Sequence, residues 1–128
     1  MGPEQLVEVV CDTNFLIHLA TKRIKNIDNI DIEIGPISFV VPKVVKDELS
    51  KLQNDYQKKQ DIIDTFELIK NFKVIPLQGK YADKILIDFV KKNGGIIGTM
   101  DKKLKKEIKK NGGSIISFLN DKIILEPQ

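Results

Sequence analysis

Four acidic residues stand where their side chains could do chemistry together. Asp12 directly follows the apolar run Val9–Cys11, and Asp101 follows a second apolar run. Glu48 lies in the second turn of the helix predicted after the second strand, and Asp83 in the first turn of the helix predicted before the fourth strand. Because ligands collect at the carboxyl ends of strands in open α/β sheets, we expect the four acids to face one crevice.

Such a group of acids predicts a bound cation and hydrolytic chemistry. Two carboxylates about 4 Å apart repel by roughly 4 kcal/mol at an effective dielectric constant of about 20. Three or four around one crevice must therefore take up protons or bind a cation. Since every donor is oxygen, the matching ion is Mg²⁺ or Mn²⁺, whose bound water can act as a nucleophile. Such an ion also neutralises developing charge on a phosphodiester, so we predict phosphodiester hydrolysis.

Each acid also has a structural explanation, which the sequence leaves open. Asp12 and Asp101 could cap helix N-termini, and Asp83 could complement a helix dipole. Glu48 could be a solvated residue on an exposed helix face. The single histidine, His18, lies in the first predicted helix and has no nucleophile partner, so acyl transfer is not indicated.

Composition indicates one globular domain covering residues 1–128. Hydrophobic residues make up 41% of the chain and charged residues 30%, and no apolar run is long enough to span a membrane. No secretory signal is visible, and the single cysteine, Cys11, cannot form an internal disulfide. We therefore expect a cytoplasmic protein with no membrane association.

The lysines are concentrated in one segment although the net charge is only +3. The nine residues from Lys102 to Lys110 read KKLKKEIKK and contain six lysines. They could form a solvated helix face or a surface that contacts phosphate groups. The lysines that we predict to contact the phosphate groups of a bound nucleic acid are Lys84, Lys102, Lys103 and Lys106.

The elements that must position these residues alternate between strand and helix. Strands are predicted at Leu6–Cys11, Ile37–Val41, Phe72–Ile75, Ile96–Thr99 and Ser114–Phe118, and Ile123–Leu125 could add a short edge strand. Helices are predicted from Asn14 to about Ala20, after Pro42, after the polar turn Gln53–Gln60, over Lys80–Asn93 and from Asp101. Thr13 or Asn14 is expected to cap the first helix. Lys22–Pro36 is expected to hold a short helix and then a loop. This alternation predicts a parallel sheet with helices on both faces.

Four segments in order resemble the motifs of PIN-domain ribonucleases, in particular compact archaeal members similar to toxin–antitoxin and ribosomal-RNA-processing nucleases. They read VVCDTNFLIHL, VVPKVVKDELSKL, YADKILIDF and IIGTMDKKLKKEI. The resemblance implies a three-layer α/β/α sandwich with a central parallel sheet of about five strands. It also implies an endoribonuclease whose acidic quartet, Asp12, Glu48, Asp83 and Asp101, holds Mg²⁺ or Mn²⁺. Asn14 and Thr99 fall where the family has polar residues that orient the acids.

Two positions depart from the family pattern. Many relatives carry an acid where this chain has Lys84 and another where it has Lys103. Since added lysines disfavour a second cation, we expect one firmly held ion and a weak second site. The resemblance also implies RNA as the substrate, an antitoxin protein or a pre-ribosomal particle as a partner, and a homodimer to which the isoleucines of residues 24–34 could contribute.

Two other functions are compatible with parts of the sequence. The first is an RNA-binding module that keeps the fold but has lost catalysis, which Lys84 and Lys103 suggest. The second is a phosphoacceptor domain, since such domains also place an aspartate after the first strand. Against the second, Thr13–Asn14 provide no further acid after Asp12, and Ile75–Pro76–Leu77 provide none after the third strand.

Overall fold

The computed structural model describes residues 6–25 and 35–128. A six-stranded sheet has the order β3-β2-β1-β4-β5-β6. Its strands are Val7–Cys11 (β1), Ile37–Pro42 (β2), Lys73–Ile75 (β3), Ile96–Gly98 (β4), Ser114–Leu119 (β5) and Lys122–Leu125 (β6). The helices are Thr13–Thr21 (α1), Lys43–Leu52 (α2), Lys59–Ile69 (α3), Ala82–Asn93 (α4) and Lys102–Lys110 (α5), with a 3₁₀ turn at Tyr56–Lys58.

The first five strands are parallel, as the sequence predicted. β1 lies between β2 and β4, and β3 and β5 extend the sheet on either side. β6 pairs antiparallel with β5 and makes the sheet mixed. The chain reverses there at Asn120, which has a φ of 58°. Asparagine tolerates this left-handed conformation better than most residues, so a tight reversal can form without glycine.

The sheet separates two apolar layers. Side chains alternate across β1, so Val9 and Cys11 pack in one cluster and Val10 in the other. The first cluster takes its helical residues mainly from α1, α2 and α3, and the second from α4 and α5. Both faces of the sheet are therefore covered, which confirms the α/β/α sandwich.

Several element boundaries differ from the predictions by one or two residues. Asp12, and not Thr13 or Asn14, caps α1, because the chain turns helical one residue earlier than predicted. Helix α4 begins at Ala82 rather than Lys80. Most of the segment predicted as a short helix and loop, and most of the isoleucine group proposed for dimerisation, lies outside the described residues. No helix in the described ranges is both long and apolar enough to cross a membrane.

The strand order decides where a site can form. From β1 the chain adds β2 and then β3 on one side of the sheet, and it later adds β4 and β5 on the other side of β1. The direction in which strands are added therefore reverses between β1 and β4. Crevices at such reversals open at the carboxyl ends of the strands. The backbone N–H of Asp12 donates to the carbonyl oxygen of Gly98 at 2.9 Å, which holds the ends of β1 and β4 together.

Candidate active site

Asp12 is held by both of its carboxylate oxygens. Its Oδ1 accepts from the backbone N–H of Thr13 at 2.8 Å, and its Oδ2 accepts from the hydroxyl of Thr99 at 3.1 Å. The first bond belongs to the N-cap of α1. The second crosses from β1 to the residue that follows β4. The orientation of this carboxylate is therefore set by two elements that are distant in the sequence.

Thr99 connects the two acids that follow β1 and β4. It is fully buried, and its Oγ1 also accepts from the backbone N–H of Asp101 at 3.1 Å. Its own N–H donates to the carbonyl of Ile116 on β5 at 3.2 Å. One hydroxyl thus donates to the Asp12 carboxylate and orders the turn that carries Asp101.

Asp101 is a helix cap that uses one of its two carboxylate oxygens. Its Oδ1 accepts from the backbone N–H groups of Lys103 and Leu104 at 2.8 and 3.1 Å. Within residues 6–25 and 35–128, Oδ2 has no hydrogen-bond donor. The capping explanation and the chemical one are therefore compatible, because the cap uses only one oxygen.

Glu48 joins this group through Thr13. The Thr13 hydroxyl donates to Glu48 Oε2 at 2.6 Å, while the Thr13 N–H donates to Asp12. Thr13 is buried, with 6% of its surface exposed, and Glu48 is half-buried on α2. From the sequence, Thr13 was expected only as a cap, and this bridge was missed. Its position next to Asp12 was the available signal, but the partner lies 35 residues away.

The electrostatics agree with a concentration of negative charge. The pKa of Asp12 is raised above its ordinary value, mainly by burial and further by repulsion from the Glu48 and Asp101 carboxylates. The hydrogen bonds from Thr13 and Thr99 act in the opposite direction. In the part of the chain that is described, no lysine, arginine or histidine forms an ion pair with Asp12, Glu48 or Asp101.

Two predicted site residues are not drawn into this network. Asp83 is exposed at the start of α4, where its Oδ1 accepts from the N–H of the adjacent Lys84 at 2.9 Å. It does not contribute to the raised pKa of Asp12. Asn14 is exposed on α1, and no hydrogen bond links it to the acids in the described ranges. Their assignments stay predictions.

The lysine segment is divided between two roles. Lys102, Lys103 and Lys106 are exposed on α5, as is Lys84 on α4. Lys105 and Lys109 instead pair with Glu126 at 2.7 and 3.0 Å. Together with a hydrogen bond from Ser117, these contacts lower the pKa of Glu126 to about 2 although burial opposes the shift. The sequence did not indicate that part of the lysine run serves to hold the C-terminal segment.

His18 and Cys11 serve packing. The His18 ring lies 4.2 Å from that of Phe118, centroid to centroid, and burial lowers its pKa. Cys11 is fully buried, and this burial raises the pKa of its thiol. Neither group supplies a nucleophile.

The donors fit a hard divalent cation bound with few protein ligands. Among the described residues, no group of three or more His, Cys, Asp or Glu side chains is placed so that it could hold a metal ion. Mg²⁺ commonly binds through only one or two carboxylates and completes its shell with water and substrate oxygens. An ion held by one or two of Asp12, Glu48 and Asp101 would match this pattern, and within the described ranges no lysine or arginine is paired to them.

Comparisons with known proteins agree with this architecture. The chain is 31% identical to "Ribonuclease VapC4" of Methanocaldococcus jannaschii, over 83% of this chain and 86% of the relative. It is 30% identical to "Ribonuclease VapC9" of Archaeoglobus fulgidus, over 88% and 84%. The structure of the PIN domain endonuclease Utp24 superposes with a TM-score of 0.74 at 26% identity, covering 94% of this chain and 92% of that one. A family model described as "PIN like domain" matches residues 9–121, so the chain belongs to the PIN-like domain family.

Proposed function

We propose that this protein is an endoribonuclease that depends on Mg²⁺ or Mn²⁺. The observation that carries the proposal is the Asp12 carboxylate, fixed at both oxygens beside Glu48 and Asp101 with no counter-cation from the described residues. The names of the relatives support RNA as the substrate, because two are ribonucleases and the structural neighbour is an endonuclease.

The candidate ligands of the ion are Asp12, Glu48 and Asp101, with Asp83 as a fourth. When bound, Mg²⁺ or Mn²⁺ supplies a water of lowered pKa and neutralises charge on the phosphodiester. The protein contributes preorganisation: Thr13 and Thr99 hold Asp12, and Thr13 also holds Glu48.

The lysines beside the acids complete the proposed site. Lys102, Lys103 and Lys106 on α5 would contact the RNA backbone, since α5 begins directly after Asp101. Because Lys84 and Lys103 flank two of the candidate ligands, we expect one firmly held ion and a weak second site.

Cleavage of a labelled single-stranded RNA with Mn²⁺ tests this function. Asp12→Asn is expected to reduce the rate by at least about 100-fold, because it removes charge at the centre of the acid group. Asp61→Asn is the matched control, because Asp61 is exposed on α3 and its carboxylate contacts none of the acids among the described residues. Equal rates for the wild type and Asp12→Asn would refute the assignment of Asp12.

A second candidate function is an RNA-binding module without catalysis. The observation in its favour is that no preformed three-ligand cage exists among the described residues. Calorimetry at neutral pH separates the two functions. Mn²⁺ binding by the wild type that is lost in Asp12→Asn supports the nuclease, whereas RNA binding without any Mn²⁺ binding supports the module.

The partners of the protein would distinguish a toxin from an RNA-processing factor. A neighbouring gene that encodes a DNA-binding antitoxin would indicate a toxin, and co-purification with ribosomal precursors would indicate RNA processing. A homodimer is part of the proposal, and light scattering tests it directly. A cytoplasmic location is expected for either role.

A further inference from the structure

An exposed aromatic side chain stands between two lysines near the acid group. Tyr81 is 52% exposed, and the Nζ atoms of Lys80 and Lys84 lie 5.5 and 5.4 Å from the centroid of its ring. Both lysines are exposed, and neither forms an ion pair with a described residue.

The backbone holds this group in place. Tyr81 is the N-cap residue of α4, and its carbonyl accepts from the N–H of Ile85 at 3.2 Å. The nearby Gly79 lies against Ile85 so closely that a Cβ at position 79 would collide with that side chain. The ring therefore projects from an ordered helix start.

A cleft connects this group with the candidate active site. It has a volume of about 370 Å³ and is lined on one side by Glu48 and neighbouring residues of α2, and on the other by Gly79 and Lys80. One residue of the acid group and one of the lysines beside Tyr81 thus border the same depression. A chain bound at the acids can continue along the cleft toward the ring.

We propose that Tyr81, Lys80 and Lys84 form a nucleotide subsite, in which a base of single-stranded RNA stacks on the Tyr81 ring and the two lysines contact adjacent phosphates. This inference rests on the proposed function, because it assigns a substrate contact to that same site. Base–aromatic stacking combined with backbone lysines is the usual means of binding single strands without reading their sequence. Cation–π contacts at exposed sites are weak, so a base can displace the lysines from the ring.

Tyrosine fluorescence provides a direct test, because the chain contains two tyrosines and no tryptophan. In Tyr56→Phe the emission comes from Tyr81 alone, and in Tyr81→Phe it comes from Tyr56 alone. Tyr56 is 91% exposed on the 3₁₀ turn before α3 and has no lysine over its ring in the described ranges, so it is a matched reference. We expect an unlabelled oligoribonucleotide, with EDTA present, to quench Tyr56→Phe and to leave Tyr81→Phe unchanged after correction for RNA absorbance.

Affinity provides the second test, again in EDTA and with Asp12→Asn to prevent cleavage. Tyr81→Ala is expected to weaken RNA binding about 5- to 150-fold, while Tyr81→Phe and Tyr56→Ala stay within about twofold of the parent. Replacing Lys80 or Lys84 by alanine should lower the slope of log affinity against log salt by about 0.7 each, a change that Tyr81→Ala should not produce.

The outcomes separate this inference from the proposed nuclease. Equal quenching of the two single-tyrosine proteins, no quenching of either, or unchanged affinity of Tyr81→Ala would overturn the subsite, even if the protein cleaves RNA. Selective quenching of Tyr81 in a protein that does not cleave RNA would support the subsite and refute the nuclease. A wild type that binds no RNA in EDTA would overturn the subsite, and one that also cleaves no RNA with Mn²⁺ would overturn both.

Discussion

Replacing Asp12 by asparagine should stabilise the metal-free protein while it abolishes cleavage. The substitution preserves the shape of the side chain and removes its charge. The carbonyl oxygen of the new side-chain amide can still accept from the Thr13 N–H, which in the wild type donates to Asp12 Oδ1 at 2.8 Å. The two effects together would identify a residue kept for chemistry at the expense of stability.

The magnitude follows from two opposing changes. The Thr99 hydroxyl donates to Asp12 Oδ2 at 3.1 Å in the wild type and would lose this acceptor, which costs about 1 kcal/mol. Against this, folding raises the pKa of Asp12, mainly through burial, and each pH unit of such a rise corresponds to about 1.4 kcal/mol against the charged form. Repulsion from Glu48 and Asp101 contributes to that rise and is relieved by the substitution. We expect a net gain of about 1 kcal/mol, which raises Tm by about 3–5 °C.

The stability advantage of Asp12→Asn over the wild type should depend on pH. The folded-state pKa of Asp12 lies above the ordinary 3.8, so the charged Asp12 carboxylate destabilises the wild type fully at pH values above the folded-state pKa. This destabilisation is lost as the pH falls through the folded-state pKa toward 3.8. The advantage of Asp12→Asn is therefore present at pH 7 and disappears below about pH 4.

Denaturant unfolding measures this directly, with EDTA and with Mn²⁺. In EDTA at pH 7 the variant should be the more stable protein. With Mn²⁺ at 100 times its Kd the wild type should gain about 2.7 kcal/mol, and the order should reverse. Asp61→Asn, an exposed substitution on α3, should stay within about 0.5 kcal/mol of the wild type in both conditions.

A lower stability of Asp12→Asn than of the wild type, in EDTA at pH 7, would contradict this account. Asp12 would then act mainly as the helix cap that its bond to Thr13 also provides. An equal gain from Mn²⁺ in both proteins would show that the ion binds elsewhere.

Three further predictions concern contacts at the site and elsewhere in the fold. Thr99→Val should destabilise the protein by about 1–3 kcal/mol and slow cleavage, because a fully buried hydroxyl partner of Asp12 is lost; unfolding and RNA cleavage assays report the two effects. Glu126→Gln should cost about 1–2 kcal/mol at pH 7, and this difference should vanish as pH falls from 4.5 through the wild-type pKa of about 2, as thermal melts over that range would show. Gly98→Ala should cost about 1–3 kcal/mol in denaturant unfolding, because the added Cβ would come within 3.0–3.1 Å of the buried Phe15 ring.

The order of residues along the chain was enough to predict most of the elements and the positions of Asp12 and Asp101 between a strand and the following helix. Apolar runs such as Val9–Cys11 mark buried strands wherever they pair, and an acid directly after such a run lies at the carboxyl end of its strand. The alternation of strands and helices then implied a parallel sheet covered on both faces. These inferences succeed because they depend on neighbours within a few residues.

The contacts that bring the candidate site residues together are visible only in the tertiary structure. Thr99 reaches Asp12 across 87 residues and Thr13 reaches Glu48 across 35, because β4 pairs with β1 and α2 packs beside α1. The antiparallel pairing of β6 with β5 and the ion pairs of Glu126 with Lys105 and Lys109 are likewise tertiary contacts that the sequence did not indicate. Periodicity tells which face of an element is buried, but not which other element covers that face. Contacts between distant segments depend on strand order and packing, which no local pattern of residues encodes.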